Sequence, residues 1–319
     1  MTKRKIVVVG AGYVGSATVY TLLMAGTADE IALIDINADK AEGDVLDMRH
    51  GLSFLPPIVL RASADYELCG DASLVILTAG AAQKPGETRL QLLERNLRVF
   101  DDILTTMLPR LSPNAILLVV TNPVDILTRY VLSRSGLPPE RVIGSGTVLD
   151  TSRLKVAIAG HIGVDPRDVN TFIIGEHGDT EVPVFAATAI AGMSLLEYCN
   201  QCGQCQGSAL ALGRLHELHH EVMNAAYTVI EKKGATCYAV AQAVNRIAAA
   251  ILGDQKAILT VSGLVDGPYG LRDACLSLPR VVGAGGIEKT LTVPYSSEEV
   301  EALRHSAETL EAAWREMGA

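Results

Sequence analysis

The sequence predicts an α/β protein. A Rossmann-type, doubly wound parallel sheet fills the first part, and a C-terminal α+β domain follows. Three observations predict it. Short aliphatic runs alternate with helical patterns over the first 145 residues, as βαβ units require. The first run ends in a glycine-rich turn, GAGYVG (10–15). After about residue 145 the alternation gives way to long helices and glycine-punctuated strand pieces. A chain of 319 residues is long enough for about two domains, and the change of pattern divides it as 1–145 and 146–319.

KIVVV (5–9) is aliphatic and β-branched, so it reads as a strand, and a helical pattern follows its turn through Leu23. EIALID (30–35) is a second strand. NADKAEGDVLDMRH (37–50) is a helix with Asn37 as N-cap. SLVILTAG (73–80) and AILLVVTN (115–122) are buried-strand candidates, with helical spacing over 89–108. Further on, a helix runs from Asp150 to about Gly160, and DVNTFIIG (168–175) is a strand. Residues 209–232 and 236–252 form long helices separated at Lys233-Gly234-Ala235, and short strand-like pieces occupy 256–293. The last element, 296–317, is a surface helix capped by Ser296 or Ser297. Glu298, Glu299 and Glu301 suit its positive end.

Composition narrows the function classes. Aromatic residues are only 4% against 49% hydrophobic, so the core is mostly aliphatic. A net charge of −9 argues against a nucleic-acid partner, because phosphate binding needs clustered Lys and Arg. No apolar run approaches the ~18 residues of a membrane span. The basic start MTKRK is followed by apolar residues that break at Gly10, unlike a signal peptide. A cytoplasmic location is expected. The six cysteines are not needed as disulfide staples in a chain this long.

Gly10-x-Gly12-x-x-Gly15 follows a strand and opens a helix, and Asp35 ends the next strand twenty positions after Gly15. That context is what dinucleotide binding demands. Gly10 permits the tight turn, Gly12 admits a pyrophosphate, and Gly15 lets helix and strand pack closely. The helix N-terminus stabilises the phosphates. Asp35 can accept hydrogen bonds from the adenosine ribose 2′-OH and would repel a 2′-phosphate, so NAD is favoured over NADP. Gly10, Gly12, Tyr13, Val14, Gly15 and Asp35 are the expected cofactor-binding residues.

Six stretches carry polar groups or glycines in one order: GAGYVG (10–15), AGAAQKPGETRL (79–90), TNPVD (121–125), SGTVLDTSR (145–153), IIGEHGDT (173–180) and KGAT (233–236). Together they resemble the lactate/malate dehydrogenase family over nearly the whole chain. The resemblance implies hydride transfer between NADH and a 2-oxo acid. Nicotinamide chemistry leaves the protein to supply a proton, charge stabilisation and orientation. His177 is the acid/base candidate, because imidazole titrates near neutrality. The resemblance assigns its carboxylate partner to Asp150. Asp150 and Arg153, three apart at a helix start, share a face. Arg153 is the expected partner of the substrate carboxylate, a planar match that Lys does not reproduce. The resemblance also makes Arg89 the residue that closes with its loop and polarises the carbonyl. Asn122 would orient carbonyl and nicotinamide, Ser145 would contact the carboxamide, and Thr236 would form pocket wall.

Gln83 bears on the substrate. Lactate-type members of the family carry Gln there and malate-type members Arg. Pyruvate has one carboxylate, which Arg153 can pair; oxaloacetate would set a second one against Gln83 in a closed, dry site. An unpaired buried charge costs several kcal/mol. Pyruvate/L-lactate is therefore the expected small-molecule pair, with branched 2-oxo acids and oxaloacetate as the alternatives within the family. The resemblance implies a homotetramer or homodimer. The short segment before the first strand resembles the bacterial branch. Some bacterial members respond to fructose 1,6-bisphosphate through an Arg and a His; the matching positions here are Lys155 and Asn170, so weak or no activation is expected.

Two motifs point elsewhere. His216-Glu217-Leu218-His219-His220 matches the H-E-x-x-H of zinc hydrolases. A third ligand is required, but the positions of the longer pattern hold Met223 and Ala226, and Glu231 comes too soon for the other arrangement. Cys199-x-x-Cys202-x-x-Cys205 suggests an iron–sulfur run whose fourth position is Ala209. These cysteines read as ordinary thiols on a connecting segment, and no metal is expected. A nucleotide-binding structural or sensor protein is the non-enzyme alternative. It has no reason to keep His177, Asp150, Arg153 and Arg89 together.

Overall fold

The structure is a computed structural model and describes residues 4–81, 89–201 and 208–317. In the first half the chain runs β1 (Lys5–Val9), α1 (Tyr13–Ala25), β2 (Glu30–Ile34), α2 (Ala38–His50), β3 (Val59–Ser63), β4 (Leu74–Leu77), α3 (Arg89–Met107), β5 (Ile116–Val119), α4 (Val124–Ser135), β6 (Val142–Gly144) and α5 (Val148–Ile162). It continues with β7 (Val169–Asn170), β8 (Ile173–Ile174), β9 (Val182–Pro183), β10 (Ala189–Ile190), β11 (Met193–Ser194), α6 (Leu195–Gln201), α7 (Ser208–Lys233) and α8 (Tyr238–Leu252). The last elements are β12 (Ala257–Leu259), β13 (Ser262–Val265), β14 (Ala274–Ser277), β15 (Arg280–Gly283), β16 (Gly286–Thr290) and α9 (Ser297–Glu316).

Strands β1 to β6 pair in parallel in the order β3-β2-β1-β4-β5-β6, the doubly wound arrangement whose switch point lies between β1 and β4. Both faces are covered, so β1, β2, β4 and β5 are buried throughout, as continuous aliphatic runs imply. Side chains alternate between the two faces. Val7, Val75 and Leu117 meet Phe100, Leu104 and Met107 of α3 and Leu127 of α4. Ile6, Ile76 and Leu118 meet Val19 and Leu22 of α1 and Ile247 and Ile251 of α8.

The second half is woven into the first. The hairpin β13–β14 extends the parallel sheet beyond β6, pairing antiparallel through Ser262 and Gly144, to make eight strands. Helix α8 covers the α1 face, and Leu303 and Leu310 of α9 pack on the other. A third core holds α5 to α7 through Leu154, Ile158, Leu215 and Leu218.

Several elements differ from the sequence reading. The strand expected over 168–175 is two short strands, because Thr171 and Phe172 carry the chain between sheets: β7 pairs with β10 and β8 with β9. Strand β3 and helix α4 escaped notice, as did β6, which has three residues. Helix α5 starts two residues earlier, and Asn37 and Ser296 cap α2 and α9 as their sequences suggest. Ser296 forms a complete capping box with Glu299. Among the described residues, no helix is long and apolar enough to cross a membrane.

Candidate active site

The glycine turn behaves as its spacing requires. Gly10 has φ +107°, and a Cβ there would lie 2.6 Å from the Ala79 nitrogen on β4's extension. A Cβ on Gly15 would lie 1.7 Å from the Gly10 carbonyl oxygen. A Cβ on Gly12, by contrast, would meet nothing within 4 Å. Gly12 is the N-cap of α1, no side chain caps that end, and no acid stands in its first turn. The helix end is thus open to an anion. Tyr13 is exposed and Val14 half-buried. Asp35, at the end of β2, accepts from Ala11 N–H (2.6 Å) and Asn37 N–H (2.9 Å). Both bonds fix its carboxylate beside the glycine turn.

The candidate acid/base pair is formed by residues twenty-seven apart in sequence. Asp150 sits in the first turn of α5, where a carboxylate suits the helix dipole. His177 follows β8 through Gly175, which has φ +88° and is bridged to Ser277 of β14. His177 Nδ1 donates to Asp150 Oδ2 at 2.5 Å, and Arg153 Nη1 donates to Asp150 Oδ1 at 2.9 Å. The Asp150 side chain is 3% exposed and that of His177 22%.

Burial alone would depress the imidazole, but the Asp150 charge and hydrogen bond outweigh it, with smaller contributions from Asp125 and Glu181, and raise His177 to about 9. Burial likewise disfavours the Asp150 carboxylate; His177 and Arg153 prevail and hold it below the usual range. At neutral pH the pair is imidazolium and carboxylate. With Nδ1 committed to Asp150, Nε2 is the ring nitrogen free of that bond.

Asn122, exposed, follows β5 and precedes Pro123 in a cis peptide bond. Ser145 follows β6 and is half-buried, with its N–H on Val119 carbonyl. Both stand at the carboxyl ends of the sheet strands, where ligands of such folds lie. Thr236 is half-buried in the α7–α8 connection. Gln83 and Lys84 lie outside the described residues. Arg89 opens α3, and its side chain also lies outside what is described.

Some residues at the site were not singled out from sequence. Asn96 of α3 is buried; its Nδ2 donates to Asn122 carbonyl (3.0 Å) and its Oδ1 accepts from Ala81 N–H (2.7 Å), so it ties together the two strand ends beside the site. The signal was faint: one amide on the apolar face of a helix. Asp125 of α4 accepts from His177 N–H at 2.7 Å.

The described residues of the two contrary motifs have packing partners. The central His219 of the H-E-x-x-H run is the buried one, and it contacts Glu181 at 3.1 Å. Glu217 pairs with Arg214, and His216 meets the edge of Phe185. Cys199 is buried within α6 rather than on a connecting segment, because the helix turns it into the third core. Cys202 and Cys205 lie outside the described residues. Among the described residues, no cluster of three or more His, Cys, Asp or Glu is placed to hold a metal. Lys155 lines a cavity of about 380 Å³ shared with Arg167 and Arg246, and burial lowers its pKa; Asn170 pairs with Ala189 in β7.

Two family models match the chain: "lactate/malate dehydrogenase, NAD binding domain" over residues 4–144, and "lactate/malate dehydrogenase, alpha/beta C-terminal domain" over 147–319. The chain is 50% identical to L-lactate dehydrogenase of Acetivibrio thermocellus over 307 residues, covering 96% of this chain and 95% of that one. It is also 50% identical to L-lactate dehydrogenase 1 of Clostridium acetobutylicum, covering 96% of each. Among solved structures it is similar to the ligand-bound minor L-lactate dehydrogenase of Enterococcus mundtii. There the TM-score is 0.93 and the identity 38%, with 99% of this chain and 98% of that one covered.

Proposed function

The chain belongs to the lactate/malate dehydrogenase family, and we propose that His177, Asp150 and Arg153 carry its chemistry, with Arg89, Gln83, Asn122 and Thr236 completing the substrate pocket. It is an NAD-dependent L-2-hydroxy-acid dehydrogenase with L-lactate dehydrogenase activity, interconverting pyruvate and L-lactate. The observation that carries the proposed roles is the Arg153–Asp150–His177 chain, at 2.9 and 2.5 Å.

The residues fit the cofactor. The open side of Gly12 and the uncapped start of α1 suit a pyrophosphate, and the Asp35 carboxylate suits a ribose diol. NADH, when bound, supplies the hydride for pyruvate reduction. Asn122 and Ser145 would orient the nicotinamide end. His177 Nε2 donates the proton that the nascent lactate oxygen requires, and Asp150 stabilises the imidazolium until then. One Nη of Arg153 is held by Asp150; a guanidinium has further donors for the planar carboxylate of pyruvate. Arg89 would polarise the carbonyl, and loop closure would exclude water and strengthen these charge interactions.

Residues 1–145 would hold the nucleotide and 146–319 the substrate. A cytoplasmic homotetramer or homodimer with two-fold symmetry is the assembly we favour. Exposed Tyr20 and Met24 on α1 and Tyr227, Ile230 and Tyr238 further along support association.

The test compares kcat/KM with NADH for pyruvate, oxaloacetate and 2-oxoisocaproate in wild type and Gln83→Arg. Pyruvate should lead in the wild type, and the substitution should move preference toward oxaloacetate by about 10²-fold or more, at tenfold per ~1.4 kcal/mol. A wild type led by oxaloacetate would show the charge argument at Gln83 to be wrong, and one led by 2-oxoisocaproate would replace the small pocket with a large one.

A further inference from the structure

Asp125 is 2% exposed in the first turn of α4, three residues after Asn122. Its two oxygens have separate partners: Oδ2 accepts from the His177 main-chain N–H at 2.7 Å, and Oδ1 from Ser262 Oγ at 2.5 Å. One carboxylate therefore joins the strand end bearing Asn122, the loop bearing His177, and the β13–β14 hairpin. A main-chain bond to the catalytic loop is a geometric restraint that the imidazole–Asp150 contact does not supply.

We propose that Asp125 is a positioning residue for the reaction: it fixes His177 relative to Asn122 and keeps a second buried negative charge near the imidazole. The inference rests on the reading of His177 as proton donor. A neutral acceptor would provide the restraint alone, so the charge has a separate consequence. It favours the imidazolium, adding to Asp150. Burial pushes Asp125 up to about 6, against the hydrogen bonds from Ser262 and His177. Between that value and the titration of His177, both groups are charged. The other ionisable groups around the pair are Glu176 beside it in the loop, Glu181 toward the ring, and Cys275 and Arg280 on β14 and β15. Arg129, on α4 itself, is engaged by Asp273 and Glu311.

Asp125→Asn preserves an acceptor for His177 N–H and lets its amide meet Ser262 Oγ, so it removes chiefly the charge. The experiment follows the histidine ring signals by NMR against pH, together with the alkaline limb of kcat/KM for pyruvate. The expected result is a His177 proton affinity lower by about three- to tenfold, the same displacement of the kinetic limb, and a fall in kcat larger than the change in KM. An unmoved His177 titration and unchanged kcat overturn the inference while leaving the proposed function intact. A displaced titration with an unmoved kinetic limb overturns His177 as donor, and with it the role given to Asp125. Should the Asn variant fail to fold, Ser262→Ala carries the test. It keeps the charge but removes a donor to it, so the acid limb should rise while the alkaline limb stays; an acid limb that does not move overturns the inference.

Discussion

Asp150→Asn keeps the shape of the side chain and removes the charge that faces His177. In the intact protein the imidazole is raised from its ordinary 6.5 to about 9 against the opposing effect of burial. At about 1.4 kcal/mol per pH unit, that net rise is about 3 kcal/mol in favour of the imidazolium. The largest contribution comes from a carboxylate 2.5 Å away. Without it burial prevails, and His177 should titrate at or below its ordinary value. At pH 7.5 the protonated fraction then falls from nearly complete to about one tenth or less. The new amide can also donate to Nδ1 and select the wrong tautomer, which adds to the loss.

The combined expectation is a fall of about 10²- to 10⁴-fold in kcat/KM for pyruvate. Reduction needs the protonated ring, so activity is present below the imidazole pKa and lost as pH rises through it. Initial rates of NADH consumption across pH should place the wild-type limb near 9 and the variant's at or below about 6.5. The same pair contributes to stability in the same sense: fully below the unfolded-state value, and lost as pH rises through about 9. The stability gap between wild type and variant should therefore narrow in alkali. A variant whose limb stayed near 9 would refute the assignment of Asp150 as the group that charges His177.

Two further outcomes follow from the geometry. Asp35→Asn keeps an acceptor for the Ala11 and Asn37 amides but removes the charge that repels a 2′-phosphate, so the NADPH/NADH ratio of kcat/KM should rise about tenfold or more; an unchanged ratio would place the ribose elsewhere. Gly175→Ala forces a side chain into φ +88°, with its Cβ 2.8 Å from Ser306 Oγ. It should cost about 1–3 kcal/mol, read as a lowered urea midpoint, and reduce kcat because His177 lies two residues on.

The legible parts of this molecule are those where sequence neighbours are also spatial neighbours. The turn from β1 into α1, its three glycines and Asp35 one strand later form one local unit, in which Gly10 and Gly15 have the steric reasons their positions suggested and Gly12 faces open space. Asn37 and Ser296 could be read because a cap acts within three residues. The pairing of His177 with Asp150 spans twenty-seven residues and could be matched only through several motifs in register. Asn96 and Asp125 were missed for another reason. Their partners include main-chain amides and carbonyls, and those groups are the same in every residue type. The middle histidine of the H-E-x-x-H run turned inward because periodicity on α7 buries Leu215, Leu218 and Val222 on the same side; a motif that counts letters does not see that face.

The antiparallel hairpin grafted beyond β6 has a consequence for how portable the nucleotide-binding half is. A fragment ending near residue 145 would leave the β6 edge without its neighbour and strip α8 from one face of the sheet and α9 from the other. It would present unpaired main-chain groups and an aliphatic surface to water at once. The part that could be swapped between proteins is therefore not the amino-terminal half as cut from sequence. It is that half together with α8, the hairpin and α9, an assembly with long intervening stretches of chain. Recombination that respected this boundary would carry Ser262 and Ser277 along with the sheet, and would have to recreate in the new host the Ser262 bond to Asp125 and the Ser277 main-chain bonds to the histidine loop at Gly175.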